Sequence, residues 1–507
     1  MSTSSLAELP ARDLVAGFAA RRFTPSDVVE ACLARIADLG PSINALTAID
    51  AEGARVAARA SDARWAAGTP LGPLDGLPIG VKDLQDAAGF LTTHGSPRFR
   101  ANVARADLLM VSRLRAAGSI VLAKTNVPEF GAGGNSRNPV WGATGNPFDP
   151  RLLAGGSSGG SAAALAVDLL PLCTGSDTGG SLRLPAALCG IVGYRPSADV
   201  VAHPARPLGW STISVLGPMA RDMDDLLLML RVIQGQDPDD PLSSPAPANR
   251  FAHVDARPLG TLRVGYSEDF GGVPVDPGIR ETFRSRIAAI APHVAECREI
   301  DMALGDMDRT FDILRAESFL AAFGKAYADA PETFGPHIAA NVKLGEGFTL
   351  ADRAWAHAEQ TRILRAFNAR MRDVDVVLMP TVPVSPFPWS DHYPAEIDGR
   401  KMDIYYRWLA LTYRGSLSGG PALTLPAGRD HAGMPFGLQV LGPVRSDEGL
   451  LSAGLALESL LAASPGTARP RPDLERLRAS RVDLTSIVTH PAAGEGPGDG
   501  TAAVTAV

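Results

Sequence analysis

The sequence predicts an α/β protein with a mainly buried sheet, because two kinds of segment alternate along most of its 507 residues. Short apolar runs typical of buried strands recur, and stretches with helical periodicity lie between most of them. Such alternation favours a sheet covered by helices. Hydrophobic residues make up 45% of the chain and charged residues 20%, which are ordinary globular values and exclude wholesale disorder or a membrane protein.

The chain opens with two predicted helices. The first covers SLAELPARDLVAGFAARRF, and the second lies in TPSDVVEACLARIADLG. Thr24 has the side chain of a helix N-cap, and Pro25 suits the first helical position because its missing N–H needs no partner there. The second helix is therefore expected to begin at Pro25.

Seven apolar runs predict strands, and helical segments such as DLLMVSRLRAAG lie between most of them. These runs are PIGVKDL (78–84), SIVLAKTN (119–126), LLPLCTGS (169–176), TLRVGYS (261–267), DVVLMPTVPV (375–384), PALTLPAG (421–428) and FGLQVLGP (436–443).

The stretch from about residue 275 to 372 is mostly helical in pattern, as in GIRETFRSRIAAIAPHV. Strand signals resume after it, which favours an insertion within one domain over a separate domain. PDDPLSSPAPANR (238–250) predicts a loop, and the small, polar residues 489–507 predict a disordered tail. Residues 1–488 are then the folded part.

Several classes of function are excluded by composition. The formal net charge is −7 and no long basic run is present, so nothing indicates a nucleic-acid partner. The N-terminus lacks a secretory pattern, and no apolar run is long enough to span a bilayer. The four cysteines are scattered without CxxC spacing and are expected to be buried free thiols. These features predict a cytoplasmic protein.

Two glycine-serine stretches interrupt this pattern. GGSSGGS (155–161) runs directly into the helix-forming AAALAV, and TGGS (178–181) follows. Ser157 and Ser181 are 24 residues apart, which leaves room for one helix and one strand between them.

GGSSGGS is open to several interpretations. A flexible linker does not suit its helix-forming flanks, and a phosphate loop would need a Gly-Lys-Ser/Thr ending. The residues also match G-x-S-x-G, the nucleophile elbow of α/β-hydrolases, but an elbow directly follows a strand, whereas NPFDPRLLAG is a proline-interrupted loop. In a catalytic turn, glycines would let the backbone approach a reacting group while serines supply hydroxyls.

Lys82 is the candidate base for such a serine, since an alcohol is a poor nucleophile until a neighbour takes its proton. It ends the apolar run at residues 77–81, and a regular strand would turn Asp83 to the opposite face. Burial can lower a lysine pKa from about 10.4 to about 7. The alternative is a lysine whose amine reaches solvent at the strand end.

These segments resemble the amidase signature family. GGSSGGSAAALAVDLLPLCTGSDTGGSLRLPAALCGIVGYRPS (155–197) is similar to its signature sequence, and LPIGVKDL (77–84) to its lysine segment. AKTNVPEFGAGGNSRNPVWGATGNPFDP (123–150) and PALTLPAG…GMPFGLQVLGP also match, so the similarity spans nearly the whole chain. The resemblance implies one domain with a large twisted mixed β-sheet surrounded by helices.

The resemblance also implies site residues. The Ser-cisSer-Lys triad of the family falls on Ser181 as nucleophile, Ser157 as the bridging serine with a cis peptide, and Lys82 as base. Three further assignments follow from it. The backbone of residues 178–181, which are Thr178, Gly179, Gly180 and Ser181, would form the oxyanion hole. Gly131 would line the substrate site, and Ser158, Asp177 and Arg183 would support the loops.

Small departures from the commonest family wording occur at Ser176, where threonine is frequent, and at Tyr194-Arg195, where leucine-lysine is frequent. Neither removes a catalytic group. Five aromatic residues are candidates for the walls of the substrate pocket: Phe130, Trp141, Tyr405, Tyr406 and Trp408. Aromatic residues at such positions are at least as often part of core or loop packing.

The predicted function is hydrolysis of a carboxylic amide, or of an ester or carbamate, through an acyl-enzyme. The expected partner is a small-molecule amide, with no cofactor, metal, nucleic acid or membrane, and a homodimer is compatible with this function. The alternative within the family is the A subunit of a glutamyl-tRNA amidotransferase, which acts as a glutaminase. A non-catalytic binding protein would not need Lys82, Ser157 and Ser181 together.

Overall fold

The computed structural model describes residues 6–247 and 249–493, in which helices surround one 11-stranded mixed sheet. The predicted α/β class is confirmed. The helices are α1 (Ala11–Ala19), α2 (Pro25–Ile43), α3 (Ala51–Ala67), α4 (Leu109–Ala116), α5 (Gly159–Ala166), α6 (Arg183–Cys189), α7 (Met223–Ile233), α8 (Pro277–Ile290), α9 (Met307–Asp329), α10 (Pro336–Glu346), α11 (Leu350–Arg370), α12 (Ala410–Leu417), α13 (Asp447–Ala462) and α14 (Leu474–Arg478).

The strands include all seven that the sequence predicts, with shifted ends. They are β1 (Leu46–Thr47), β2 (Pro78–Lys82), β3 (Ile120–Thr125), β4 (Arg137–Asn138), β5 (Gly142–Ala143), β6 (Gly145–Asn146), β7 (Asp149–Leu153), β8 (Leu172–Asp177), β9 (Val192–Arg195), β10 (Val215–Ala220), β11 (Arg263–Tyr266), β12 (Glu296–Glu299), β13 (Val376–Pro380), β14 (Glu396–Ile397), β15 (Arg400–Lys401), β16 (Ala422–Arg429) and β17 (Pro435–Leu441).

The large sheet has the strand order β1-β3-β2-β8-β10-β9-β16-β17-β13-β11-β12. Strand β2 lies between β3 and β8 and is parallel to both. The carboxyl ends of β2 and β8 therefore meet at one edge of the sheet, which is where α/β sheets place their ligands. Antiparallel β10 begins at that same edge, with Val215 opposite Asp177.

Helix α2 begins where the sequence predicts. The Thr24 hydroxyl accepts from the Asp27 N–H, the Asp27 carboxylate accepts from the Thr24 N–H, and Pro25 is the first helical residue. Helix α1 is shorter than the predicted first helix, because Pro10 lies at its N-cap and the helix starts only at Ala11. Both helices pack against the core through their apolar faces.

Helix α5 begins inside the first glycine-serine stretch, at Gly159, and helix α6 begins two residues after Ser181, at Arg183; every residue in both is buried. Helices that are buried on all sides belong to the core, with protein around their whole circumference. Residues 155–158 and the TGGS stretch are thus turns that lead into core helices, and Gly159, Gly160 and Ser161 form the first turn of α5. Helix α5 and strand β8 fill the 24-residue interval between Ser157 and Ser181.

The stretch from 275 to 372 contains helices α8 to α11, as its pattern predicts, but also strand β12 at the sheet edge. Three cysteines are buried as expected, whereas Cys297 on β12 is only partly buried. Most of the predicted tail, 489–507, lies outside the described residues. Its first part contacts the protein, since the N–H groups of Thr489 and His490 donate to the Pro139 carbonyl. Among the described residues, no helix combines the length and the apolarity that crossing a membrane requires.

Candidate active site

Lys82 is the last residue of β2, and its side chain is completely buried. Its Nζ lies 2.8 Å from Ser157 Oγ, 2.7 Å from Ser158 Oγ and 3.0 Å from Ser176 Oγ. The amine therefore contacts only neutral hydroxyls and, at 3.5 Å, the Ser176 carbonyl. The solvent-exposed alternative for this lysine is wrong.

Burial lowers the pKa of Lys82 to about 7, while the negative charge of Asp177 acts in the opposite direction. A protonated amine has three donors and no acceptor, whereas the neutral amine can accept a proton. Near neutral pH about half of the molecules would carry the neutral form. Lys82 can therefore serve as a base without a histidine.

Asp83 faces away from Lys82, as strand alternation predicts. Its carboxylate accepts from the hydroxyl and N–H of Thr93 and lies 3.6 Å from the Nζ of Lys124. Burial raises the pKa of Asp83 and lowers that of Lys124. This second buried lysine also donates to the Gln85 carbonyl and the Thr92 hydroxyl, so it supports the loop after β2.

The first glycine-serine stretch places Ser157 and Ser158 on the amine of Lys82. The Gly156–Ser157 peptide is cis, as the family resemblance implies. Gly131 has φ +73°, and a Cβ at that position would lie 3.3 Å from Ser157 Oγ and 2.8 Å from Leu84. The structure therefore brings the Gly131 backbone against the Ser157 hydroxyl.

The second stretch is held by the Asp177 carboxylate. It accepts from the N–H of Gly180 at 2.9 Å and of Leu182 at 3.3 Å. It also accepts two bonds from Arg183, each 2.9 Å long, and one of 3.2 Å from Arg195. Burial alone would raise the pKa of Asp177, but the two arginine charges keep it well below its usual range.

The two stretches meet through the main chain, where the Ser158 N–H donates to the Ser181 carbonyl at 3.3 Å. Ser181 is partly exposed. Its hydroxyl makes no hydrogen bond to any described residue, including Ser157. Lys82 and Ser157 are thus in direct contact, and Ser181 has a hydroxyl open to a ligand.

The four predicted oxyanion donors differ in whether their N–H group is already hydrogen-bonded. The N–H of Gly180 is bonded to Asp177, whereas those of Thr178, Gly179 and Ser181 have no acceptor within the described part of the chain. Gly180 has φ +122°, which favours glycine, and its role in this structure is to form the turn.

Of the candidate wall aromatics, Phe130 is half-buried, packs 4.7 Å from the Phe323 ring, and directly precedes Gly131. The buried indole of Trp141 donates to Thr93, and the buried Tyr406 hydroxyl donates to Asp312. For these two, core packing is the correct interpretation. Trp408 is also buried, against Gly134.

Two groups near the TGGS turn were not predicted. The Thr412 hydroxyl donates to the Gly179 carbonyl at 2.6 Å, and a Cβ on Gly179 would lie 3.1 Å from the ring of Phe311. Both residues come from segments more than 100 positions later in the chain. No local sequence signal connects them with the turn.

Comparison with protein families finds that residues 27–451 match the family model described as Amidase. The chain is 34% identical over 486 residues to the A subunit of glutamyl-tRNA(Gln) amidotransferase from Acidothermus cellulolyticus, covering 90% of this chain and 95% of that protein. It is also 34% identical over 493 residues to the Salinispora arenicola protein of the same name, with 90% and 98% covered.

Solved structures with the same fold include a bacterial aryl acylamidase of the amidase signature enzymes, with a TM-score of 0.84 and 26% identity over 94% of this chain and 99% of that one. 6-Aminohexanoate cyclic dimer hydrolase in complex with substrate matches with a TM-score of 0.78 and 25% identity, covering 94% and 100%. Peptide amidase from Stenotrophomonas maltophilia matches with a TM-score of 0.74 and 25% identity, covering 92% and 99%.

Proposed function

Because this chain belongs to the amidase signature family, whose enzymes hydrolyse amide C–N bonds, we propose that it is an amidase with Ser181 as nucleophile, Ser157 as proton bridge and Lys82 as base. One observation carries this assignment. The Nζ of a fully buried lysine with a pKa of about 7 lies 2.8 Å from the Ser157 hydroxyl.

In the first step, the Ser181 Oγ attacks the carbonyl carbon of the amide. Its proton passes to Ser157, whose own proton passes to the neutral amine of Lys82. Proton transfer to a positioned base accelerates such a step by about 100- to 10,000-fold. The hydroxyls of Ser158 and Ser176 keep the amine directed towards Ser157 by hydrogen bonding.

The carbonyl oxygen gains negative charge as the tetrahedral intermediate forms. The free N–H groups of Thr178, Gly179 and Ser181 are the donors that would stabilise it, and one such donor is worth about 3 kcal/mol in the transition state. The charged network of Asp177, Arg183 and Arg195 holds this turn before the substrate arrives, so little reorganisation is needed.

Collapse of the intermediate breaks the C–N bond, and the proton on Lys82 returns through Ser157 to the leaving amine. Water then attacks the acyl-enzyme with the same pair acting as base, and the carboxylic acid leaves. These steps require only protein groups and water. We propose a small apolar or aryl amide as substrate, since an aryl acylamidase is among the structural neighbours and the half-buried Phe130 adjoins Gly131.

The test is a panel of amides, esters and carbamates on the purified protein, combined with a fluorophosphonate probe and peptide mass mapping. We expect amide hydrolysis and a label on Ser181. Ser181→Ala should lose labelling and activity without a change in melting temperature, whereas Ser157→Ala should label slowly at Ser181. A label on Ser157 in the wild-type protein would overturn the assignment.

A second candidate function is glutaminase activity as the A component of an amidotransferase, which the 34% identical relatives of that name favour. Co-expression with the other amidotransferase components, followed by affinity purification and a glutaminase assay, tests this function. Stable co-purification together with glutamine-dependent ammonia release would support it. Efficient hydrolysis of simple amides by the isolated chain, without co-purification, would favour the stand-alone amidase.

A further inference from the structure

Arg315 on α9 is a buried cation, with only 7% of its surface exposed, and no described carboxylate pairs with it. Asp312, one turn before it, is already occupied: it accepts two bonds from Arg407 and one from the Tyr406 hydroxyl. A buried charge without a counter-charge is costly, so other groups must stabilise Arg315.

Aromatic rings take the place of the missing acid. The Arg315 guanidinium carbon lies 4.8 Å from the ring centroid of Phe319, 5.0 Å from Tyr406, 5.7 Å from Tyr405 and 5.9 Å from Phe311. Rings at such distances stabilise a cation through their quadrupoles without neutralising it. The positive charge is therefore held in place and remains available to an anion.

Arg315, Asn341 and Tyr405 form a hydrogen-bonded cluster, and two donors of this cluster have no protein acceptor. Arg315 Nε donates to the Asn341 side-chain oxygen at 3.1 Å and Nη2 to the Tyr405 hydroxyl at 2.7 Å, whereas Nη1 donates to no described residue and is not sealed from solvent. The Tyr405 hydroxyl also accepts from the Asn341 amide at 2.7 Å. Since its oxygen accepts twice, its own hydrogen points elsewhere, and no described acceptor takes it.

The cluster contacts the TGGS turn on one side. Phe311 lies one helical turn before Arg315 on α9, and its ring faces Gly179. The guanidinium is thus separated from the candidate oxyanion donors by about one aromatic ring.

On the other side the cluster contacts the Gly131 segment. The Tyr405 ring stacks on His337 at 3.9 Å, and the Nδ1 of His337 lies 2.8 Å from the Ala132 carbonyl, next to Gly131. Burial, assisted by the Arg315 charge, lowers the pKa of His337 to about 4, so this histidine is neutral at pH 7 and adds no charge to the cluster.

We propose that Arg315 and Tyr405 bind a carboxylate of the substrate, at a position remote from the amide bond that is cleaved. This inference rests on the proposed amidase function and refines its substrate class: the amide has an apolar or aryl part near the bond that is cleaved and a carboxylate remote from it. Nη1 and the Tyr405 O–H would each donate to one carboxylate oxygen, and hydrogen bonds to an ionised carboxylate are about twice as strong as those between neutral groups.

The test compares charged amides with neutral amides of equal chain length. One series carries the carboxylate on the acyl side, as in glutaramate and adipamate, and the other on the leaving group, as in N-acetyl-β-alanine and N-acetyl-6-aminohexanoate. In the wild-type enzyme, at least one series should exceed its neutral alkyl counterparts by about 10- to 100-fold in kcat/KM.

Arg315→Met should remove this preference and leave kcat/KM for the neutral amides within about 3-fold, while Arg315→Lys should restore part of it. Tyr405→Phe keeps the ring stack on His337 and should reduce the preference less, by about 5-fold. Lys325→Met is the matched control, because it removes a positive charge from the same helix at a side chain that is 92% exposed. It should change nothing.

Binding of glutarate and adipate, measured by calorimetry, separates this proposal from the amidase function. If no amide is hydrolysed but a dicarboxylate binds, and Arg315→Met and Tyr405→Phe weaken that binding, the anion site stands and the proposed function fails. If neutral amides are hydrolysed, no charged series is preferred, and dicarboxylate binding is absent or unchanged in both variants, the carboxylate site is overturned.

Discussion

At position 82 a lysine ends a strand whose other side chains are apolar, and its amine is surrounded by three serine hydroxyls. Burial disfavours the charged form more than the more distant Asp177 favours it, which places the pKa at about 7. From the sequence, the apolar run before Lys82 allowed a pKa lowered to about 7 by burial, but it left a solvent-exposed amine as the alternative. The sequence could not predict which serines make contact.

The first prediction concerns the pH dependence of activity. Only the neutral amine of Lys82 accepts a proton, so kcat/KM for a neutral amide should rise with pH, with a midpoint of about 7, and level off above it. Lys82→Arg keeps a cation at all accessible pH values and should lose activity by at least about 1,000-fold. A wild-type profile that is flat from pH 6 to 9 would contradict the assignment of Lys82 as base.

The second prediction concerns stability, where the same shift has a definite sign. The folded-state pKa of Lys82, about 7, lies below its ordinary value of 10.5. Between those values the unfolded chain binds a proton that the folded protein does not, so the free energy of unfolding rises with pH by up to about 1.4 kcal/mol per pH unit. The free energy of unfolding therefore decreases as the pH falls from about 10.5 towards 7. Below pH 7 Lys82 is protonated in both states and no longer changes the stability.

Lys82→Met lacks the titrating amine, so its free energy of unfolding does not have this pH dependence. The difference in stability between Lys82→Met and wild type should therefore favour the variant most near pH 7 and decrease towards pH 10. Urea unfolding of both proteins across this range measures the difference. Lys325→Met, which removes an exposed lysine, should run parallel to wild type. Parallel curves for wild type and Lys82→Met would show that the buried lysine does not titrate as proposed.

At the scale of elements, the TGGS turn depends on one glycine. Gly180 has φ +122°, and a Cβ there would lie 2.2 Å from the Thr412 hydroxyl oxygen and 2.5 Å from the Thr412 Cβ. Both the backbone conformation and the lack of space therefore exclude a side chain.

We expect Gly180→Ala to displace the turn, lower kcat/KM by at least about 100-fold and destabilise the protein by about 1–3 kcal/mol. Gly260→Ala is the control, since no atom lies within contact distance of a Cβ at that position. Steady-state kinetics and thermal melts measure both effects. Wild-type activity in Gly180→Ala would mean that the turn does not supply the oxyanion donors.

Strands were predictable where several consecutive aliphatic residues mark them, as in β3 and β13. Strand β10 was missed because Gly217 and Pro218 lie inside it, and both residues argue against a central strand. It pairs with β9 only through Met219 and Ala220, so Pro218 lies beyond the paired stretch on that side. The four-residue β9 gave too short a pattern to recognise.

At the scale of the whole molecule, the site is assembled from distant parts of the chain. The catalytic candidates were predictable because they lie in short segments with their own patterns and a family resemblance. Thr412, Phe311 and Arg315 were not, because only the tertiary fold places α9 and α12 beside the turn. The departure at position 195 also has a structural role, since Arg195 donates to the Asp177 carbonyl as well as to its carboxylate.

Arg183 forms hydrogen bonds to several of these distant parts at once. From the start of α6 it donates to the Thr412 carbonyl at 2.8 Å and the Ser416 hydroxyl at 2.8 Å in α12, and to the Gln439 side chain at 2.6 Å in β17. It is fully buried and also pairs with Asp177. One side chain therefore ties the TGGS turn to the C-terminal half of the sheet.

Arg183→Met should consequently destabilise the TGGS turn and weaken its contacts with α12 and β17. The substitution leaves the buried Asp177 carboxylate without one of its counter-charges. Breaking a buried ion pair in this way typically lowers the free energy of unfolding by about 3–5 kcal/mol. Hydrogen exchange should accelerate first in α12 and in the TGGS turn, and kcat should fall while KM changes less. Arg284→Met, at an exposed ion pair with Glu268, should cost under about 1 kcal/mol. If Arg183→Met lost stability without faster exchange in α12, the arginine would act only on its own turn, and the halves of the sheet would be joined by other contacts.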